Sequence, residues 1–189
     1  MVPGLLMLIV EGAGSFITFL LLVRALMRWQ RLSFINQLGQ FVLAATDWAV
    51  RPVQKLLGSR GGFDLSCLVP AWLVQSLVVA VALALSGALD NPIGLLLGAA
   101  LGGFFELLRS MLYLVMMVVI AAAVLSWVNP RAPIAPLVNG LARPFLLPLQ
   151  RRLPPLGGVD LSPLVLLLIL QVLQFVLASL RHTVTIALL

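Results

Sequence analysis

Only six side chains in this sequence are carboxylates, and it holds one cysteine and one histidine. Each scarcity removes a class of function. A lone Cys67 excludes an intramolecular disulfide or a thiolate cluster within one chain, and reads as a small apolar residue in a helix. A lone His182 leaves no multi-histidine metal or haem site within one chain. There is no P-loop, no nucleophile placed beside a base, and no paired carboxylate within an apolar run of the kind a proton relay uses. The expectation is a non-enzyme with no cofactor and no metal. Lys and Arg are also missing ahead of Arg24, so the basic start of a secretory signal is lacking and the first apolar run reads as a retained helix.

What is there in abundance is apolar. Of 189 residues, 62% are hydrophobic and 10% charged, with a mean hydropathy of +1.15. Soluble domains sit near about 45–50% apolar and about 25% charged. A water-soluble fold of this size could not hide so much apolar surface, so lipid must be the solvent for much of it. The net charge is +6. The basic residues cluster beside long apolar runs, which points to anionic lipid headgroups as partner rather than nucleic acid.

A membrane span needs about 20 mostly apolar residues, or about 30 Å of helix. Four stretches qualify, near 12–29, 66–89, 107–128 and 162–180. The segment from Arg24 to Asp64 carries Arg24, Arg28, Arg31, Arg51, Lys55 and Arg60 against two aspartates. The segment from Arg131 to Asp160 carries Arg131, Arg143, Arg151 and Arg152 against one. Basic loops stay in the cytoplasm, so both termini are expected on the opposite side of a cell inner membrane. Arg181 alone votes the other way. The apolar run from Ile93 to Trp127 is too long for one perpendicular span, and Glu106 with Arg109 is read as the place where the outer interface cuts it. The piece at 93–105 holds Gly94, Gly98 and Gly102, a spacing that gathers glycines near one helical face and lets another helix approach. A surface helix, a re-entrant segment and an extension of the third span are all compatible with it.

The two halves of the sequence match. Val50-Arg51-Pro52 parallels Ala142-Arg143-Pro144. Gly61-Gly62-Phe63-Asp64-Leu65-Ser66 parallels Gly157-Gly158-Val159-Asp160-Leu161-Ser162, and Gln75 parallels Gln171. Trp29 and Trp127 close the preceding spans. This is a duplication, with repeats at 1–92 and 93–189. Two spans per unit make both units enter the membrane in the same direction, so the pseudo-twofold axis is expected along the membrane normal. The fold class is an all-α membrane protein: four main transmembrane helices arranged as two parallel-duplicated units, each a span, an interfacial helix and a span.

Between the spans, apolar residues recur every three or four positions at about 34–57 (Phe34, Leu38, Phe41, Val42, Ala45, Trp48, Ala49, Val53, Leu56). They do so again at about 134–153 (Ile134, Leu137, Val138, Leu141, Phe145, Leu149, Leu153). With their arginines, these read as basic helices lying in the interface or against the spans. Pro52 and Pro144 are expected to bend or end them. The glycine pairs permit a tight turn, and Asp64/Ser66 and Asp160/Ser162 suit helix caps, with Pro163 at an early helical position. Gln75 and Gln171 would lie near mid-membrane, where a buried amide seeks a partner, most simply across the interface between the repeats.

This pattern of a duplicated two-helix unit with Arg-Pro, basic residues and Gly-Gly-x-Asp-Leu-Ser resembles the YggT/YlmG family of bacterial and plastid membrane proteins. The second copy matches closely through Arg143-Pro144, Pro148, Arg151-Arg152, Pro154, Gly157-Gly158, Asp160 and Ser162-Pro163. The first departs from it, with Lys55 and Arg60 in place of an adjacent arginine pair and Cys67 where Pro163 stands. The resemblance implies a role in osmotic tolerance and ion homeostasis, in cell division, or in assembly of a membrane complex such as the plastid cytochrome b6f. It names no reaction. The basic helices and the glycine face make other membrane proteins, or a second copy of the chain, the expected partners. The function expected is a non-enzymatic accessory or scaffold factor, the alternative a subunit of an ion channel or transporter.

Overall fold

The computed structural model describes residues 2–57, 65–87, 92–152 and 160–188, and these form six helices with no strand among them. They are α1 Val2–Trp29, α2 Gln37–Leu57, α3 Leu65–Leu85, α4 Pro92–Val128, α5 Ala135–Gln150 and α6 Ser162–Leu188. Four of them, α1, α3, α4 and α6, are long and apolar enough to cross a membrane. Their surfaces carry exposed Leu, Ile, Val and Phe, and only 11% of the most apolar stretch of α6 is buried within the protein. Such helices gain little from burying each other and must be solvated by lipid.

The helix ends follow local chemistry. α1 closes on a Schellman turn, in which the Leu32 amide donates to Met27 O and the Arg31 amide to Arg28 O. Arg31 takes the left-handed position there at φ 52°, where glycine is usual. Asn36 caps α2, its Oδ1 accepting from the Gly39 amide at 2.9 Å. α3 stops at Leu85 because Gly87 turns the chain at φ +92°. That end is four residues short of the expected Leu89, whose own position lies outside the described residues.

The structure makes three points more definite. As helices, α1 and α6 extend beyond the expected spans, α1 through Glu11 and α6 past Arg181. Neither Pro52 nor Pro144 ends its helix: α2 runs on to Leu57 and α5 to Gln150, with Pro148 also inside. Pro52 is exposed, as is Trp48 one turn before it, so the carbonyl that proline leaves unbonded lies on the accessible side of α2. The segment 93–105 is neither a surface helix nor re-entrant. It is the first part of α4, a single helix of 37 residues and so about 55 Å long.

By compactness the chain divides into two units, Met1–Ser110 with Ser179–Leu189, and Met111–Ala178. These bounds differ from the repeat bounds at 92/93, and the glycines of α4 are the reason. A Cβ added at Gly98 would lie 3.1 Å from Leu83, and one at Gly102 2.9 Å from Val79. At Gly103 it would lie 2.6 Å from the backbone of Ser76, so only a glycine admits that approach. The Trp72 indole N–H adds a 3.0 Å bond to Ala100 O. The first part of α4 thus belongs with α3. Gly94, by contrast, is exposed. Within the same unit Gly14 of α1 faces Val74 and Val78 of α3. Leu21, Met27, Val50, Cys67 and Ala71 form its fully buried core.

Glu106 stands three residues past Gly103, which touches the middle of α3. The carboxylate is tolerated there because Arg181, the basic residue on the unexpected side, hydrogen-bonds to it, and Arg109 Nη1 lies 3.8 Å away. The second unit holds the rest of α4, α5 and most of α6. Its core is built from Leu114, Val118, Val119, Ala122, Val138, Leu141, Ala142, Leu146, Leu166 and Leu170.

Candidate functional site

The most heavily constrained polar group lies between α1 and α2. Arg24 arrives on a spanning helix with 3% exposure. Its Nη1 donates to Thr46 Oγ1 and to Asp47 Oδ1, both at 2.8 Å. Asp47 is shared, because its Oδ2 also takes Arg51 Nη2 at 2.6 Å from one turn further along α2. Thr46 is buried, and its hydroxyl donates a hydrogen bond to Val42 O. Partial burial pushes the Asp47 carboxyl upward, but the hydrogen bonds and charges of Arg24 and Arg51 outweigh it and hold the pKa below the ordinary carboxylate value. Arg24 Nε has no hydrogen-bond partner. A buried guanidinium with an unmet N–H costs free energy rather than adding it, so stability alone does not account for the cluster.

The duplication sharpens this. Aligning Trp29 with Trp127 sets Arg24 within the run Ala121-Ala122-Ala123, and aligning Arg51-Pro52 with Arg143-Pro144 sets Thr46 on Val138 and Asp47 on Asn139. The second copy has buried Ala122 and Val138 and an exposed, uncharged Asn139 where the first has a charged lock. Sequence reading counted Arg24 and Asp47 only as loop charges, since a separation of 23 residues carries no periodic signal.

The Gly-Gly-x-Asp-Leu-Ser motif is seen in part. Gly61, Gly62 and Asp64 of the first copy, and Gly157 and Gly158 of the second, lie outside the described residues. Asp160 is described, and it acts as the cap of α6: Oδ1 accepts from the Ser162 amide and Oδ2 from Gln150 Nε2, each at 2.8 Å. One carboxylate thereby ties the end of α5 to the start of α6. Burial raises its pKa, and the bonds from Ser162 and Gln150 more than reverse that, leaving it lowered. The Ser162 hydroxyl is buried next to this carboxylate, and the aspartate does the capping through the Ser162 amide. In the first copy Ser66 is buried as the second residue of α3.

The remaining residues singled out by sequence are scattered. Lys55, Pro52, Arg143, Arg151 and Arg152 are exposed, and Pro144 is half-buried. Gln75 is buried in its unit while Gln171 is exposed on α6, so the two amides occupy unlike surroundings despite their equivalent places in the repeat. Met116 and Gln174 supply a polar contact the sequence reading missed, with Gln174 Nε2 3.1 Å from the thioether sulfur. Among the described residues no three His, Cys, Asp or Glu side chains gather as a metal site would require.

Comparison with known proteins agrees with the duplicated pattern. The CCB3/YggT family profile matches the chain twice, at residues 4–85 and 101–181. The chain is 31% identical over 163 residues to the uncharacterized protein YggT of Escherichia coli K12, covering 86% of this chain and 83% of that one. It is also 31% identical over 182 residues to an uncharacterized protein of Pseudomonas aeruginosa, covering 90% and 87%. A Vibrio alginolyticus protein encoded in the proC 3′ region is 30% identical over 161 residues, covering 84% and 85%. No solved structure matches. Two family matches in one all-helical chain, with relatives that align over most of its length, place it: this protein is a member of the CCB3/YggT family.

Proposed function

We propose that the protein is a non-enzymatic accessory or scaffold factor of the cell inner membrane, acting in membrane-complex assembly, cell division or osmotic homeostasis. Its basic helices face the cytoplasm and both termini lie on the other side. The observation that carries this reading is the use made of the charged side chains. Arg24 is tied to Asp47, Glu106 to Arg181, and Asp160 to Gln150. These groups brace helices against one another, while apolar spans and exposed basic side chains are left for lipid and for other membrane proteins. Purification from native membranes, with and without a crosslinker, tests this. Retention of other membrane proteins at defined mass supports the role, and a monomer or homo-oligomer without partners opposes it. For topology, labelling single cysteines in a Cys67→Ser background should protect the positions of Lys55 and Gln150 from an external impermeant reagent and expose that of Asn91.

A second reading, a channel or transporter subunit, draws on three groups within the first unit. Thr18 Oγ1 and Ser76 Oγ are buried in α1 and α3 without partners, and Gln75 is buried beside Ser76 in sequence. Ion flux from proteoliposomes above that of empty vesicles would favour it.

A further inference from the structure

α2 has two faces, and both are apolar. Gly39, Val42, Thr46 and Val50 are buried, with Thr46 joined to Arg24 of α1. On the opposite side Phe41, Trp48 and Lys55 follow one another at seven-residue spacing, a straight stripe along a helix. Phe41 is 52% exposed and Trp48 64%. Leu38, Pro52 and Arg51 flank them and are exposed as well. The periodicity that marks α2 as amphipathic thus mixes residues that pack on the protein with aromatics that do not.

Three features say what covers the outer stripe. The Trp48 indole N–H is already satisfied by Ala45 O at 2.8 Å, so the ring can enter an apolar medium without losing a hydrogen bond. Asp47, the only acid on α2, is held by Arg24 from beneath and by Arg51, so the outer face carries net positive charge. The helix is also tethered to the bilayer. Residues 30–36 separate its start from the end of α1, a reach of at most about 25 Å. Aromatics flanked by arginine and lysine, within reach of a membrane surface, match an anionic leaflet. The second copy lacks the stripe: the positions matching Phe41, Trp48 and Lys55 are Pro133, Gly140 and Leu147, and α5 exposes Asn139, Arg143 and Gln150 instead.

We infer that α2 is seated in the anionic leaflet of its own bilayer through Phe41 and Trp48, with Arg51 and Lys55 on lipid phosphates, and that α5 presents its outer face to water. The two repeats divide the work: one anchors, the other displays. The inference rests on the chain being a membrane protein and not on its having protein partners.

The test uses the full chain in proteoliposomes of phosphatidylcholine with or without phosphatidylglycerol. The difference in emission between wild type and Trp48→Phe isolates Trp48, and the difference between Asn139→Trp and wild type reports on α5. Lipids brominated near the headgroup end of the acyl chain should quench Trp48 strongly, more so with phosphatidylglycerol, and Arg51→Gln with Lys55→Gln should remove that increment. The tryptophan at position 139 should respond to an aqueous quencher and not to brominated lipid. Trp48 open to the aqueous quencher would overturn the leaflet seat, and equal lipid quenching at position 139 would overturn the division between repeats. Trp48 shielded from both quenchers, with partners lost on Trp48→Ser, would assign the stripe to a protein partner. That result would sink the lipid reading while sustaining the accessory role. All variants lie on exposed positions, so circular dichroism matching wild type confirms that each reports environment rather than misfolding.

Discussion

Arg24 donates to Asp47 across 2.8 Å, from the buried side of a spanning helix to the basic helix that follows it. Asp47 hands its second oxygen to Arg51, whose side chain is 72% exposed. One carboxylate therefore serves a buried cation and a surface cation, and the two should respond very differently to mutation. Asp47→Asn strands Arg24 and should cost about 3 kcal/mol, within the range for breaking a buried pair. Arg51→Ala should cost under about 1 kcal/mol. Unfolding of the detergent-solubilised protein by denaturant measures both.

The second copy supplies a stricter test. Replacing Arg24, Thr46 and Asp47 together by Ala, Val and Asn copies the residues at the matching positions of the second repeat. It removes the buried charge along with its partner, so no cation is stranded, but alanine leaves the space of the Arg24 side chain unfilled. The triple variant should therefore be more stable than Asp47→Asn alone and somewhat less stable than wild type. A triple variant as unstable as the single one would mean that the lock is required by the fold itself.

Acid should loosen the same joints. Asp47 and Asp160 have folded-state pKa values below the ordinary aspartate value of 3.8. The unfolded chain therefore takes up protons first as pH falls. Their contribution to stability is complete above the unfolded value and disappears as pH drops through the folded ones, below about 3.8. Near-UV circular dichroism followed through that window should show wild type losing stability more steeply than Asp47→Asn, which has one fewer such group.

Gly103 should be the least replaceable glycine of α4. A Cβ there meets the Ser76 backbone, which cannot swing aside as a side chain can. Gly103→Ala should cost about 1–3 kcal/mol by overpacking, while Gly12→Ala on α1, where an added Cβ meets open space, should cost nothing measurable. Equal effects at the two sites would show that the close approach of α3 and α4 is absent in the membrane.

Arg31 offers a gain. It occupies a left-handed backbone position at φ 52°, which costs a residue with a Cβ about 1 kcal/mol. Arg31→Gly should raise the thermal midpoint slightly, offset in part by glycine's greater freedom in the unfolded chain. A drop would indicate that the arginine side chain contributes more than its backbone costs.

Composition and local pattern were enough to read the solvent, the helices and the duplication. Apolar runs of span length leave no alternative to lipid, and Gly-Gly-x-Asp-Leu-Ser recurring 96 residues apart is legible because rare residues in a fixed order are improbable by chance. Local pattern also located the basic helices, since a period of three to four residues is a local property. Tertiary structure decided what those patterns could not encode. Arg24 found Asp47, and Arg181 found Glu106, through helix register, which side-chain volume sets and linear spacing does not. Gly103 makes a closer approach than Gly98 because the difference depends on which residue of α3 lies opposite. The apolar members of α2 parted into Val42 and Val50 inward and Phe41 and Trp48 outward. Hydrophobicity says only that a residue avoids water. Whether it does so against another helix or in the leaflet is settled by the neighbour that gets there first.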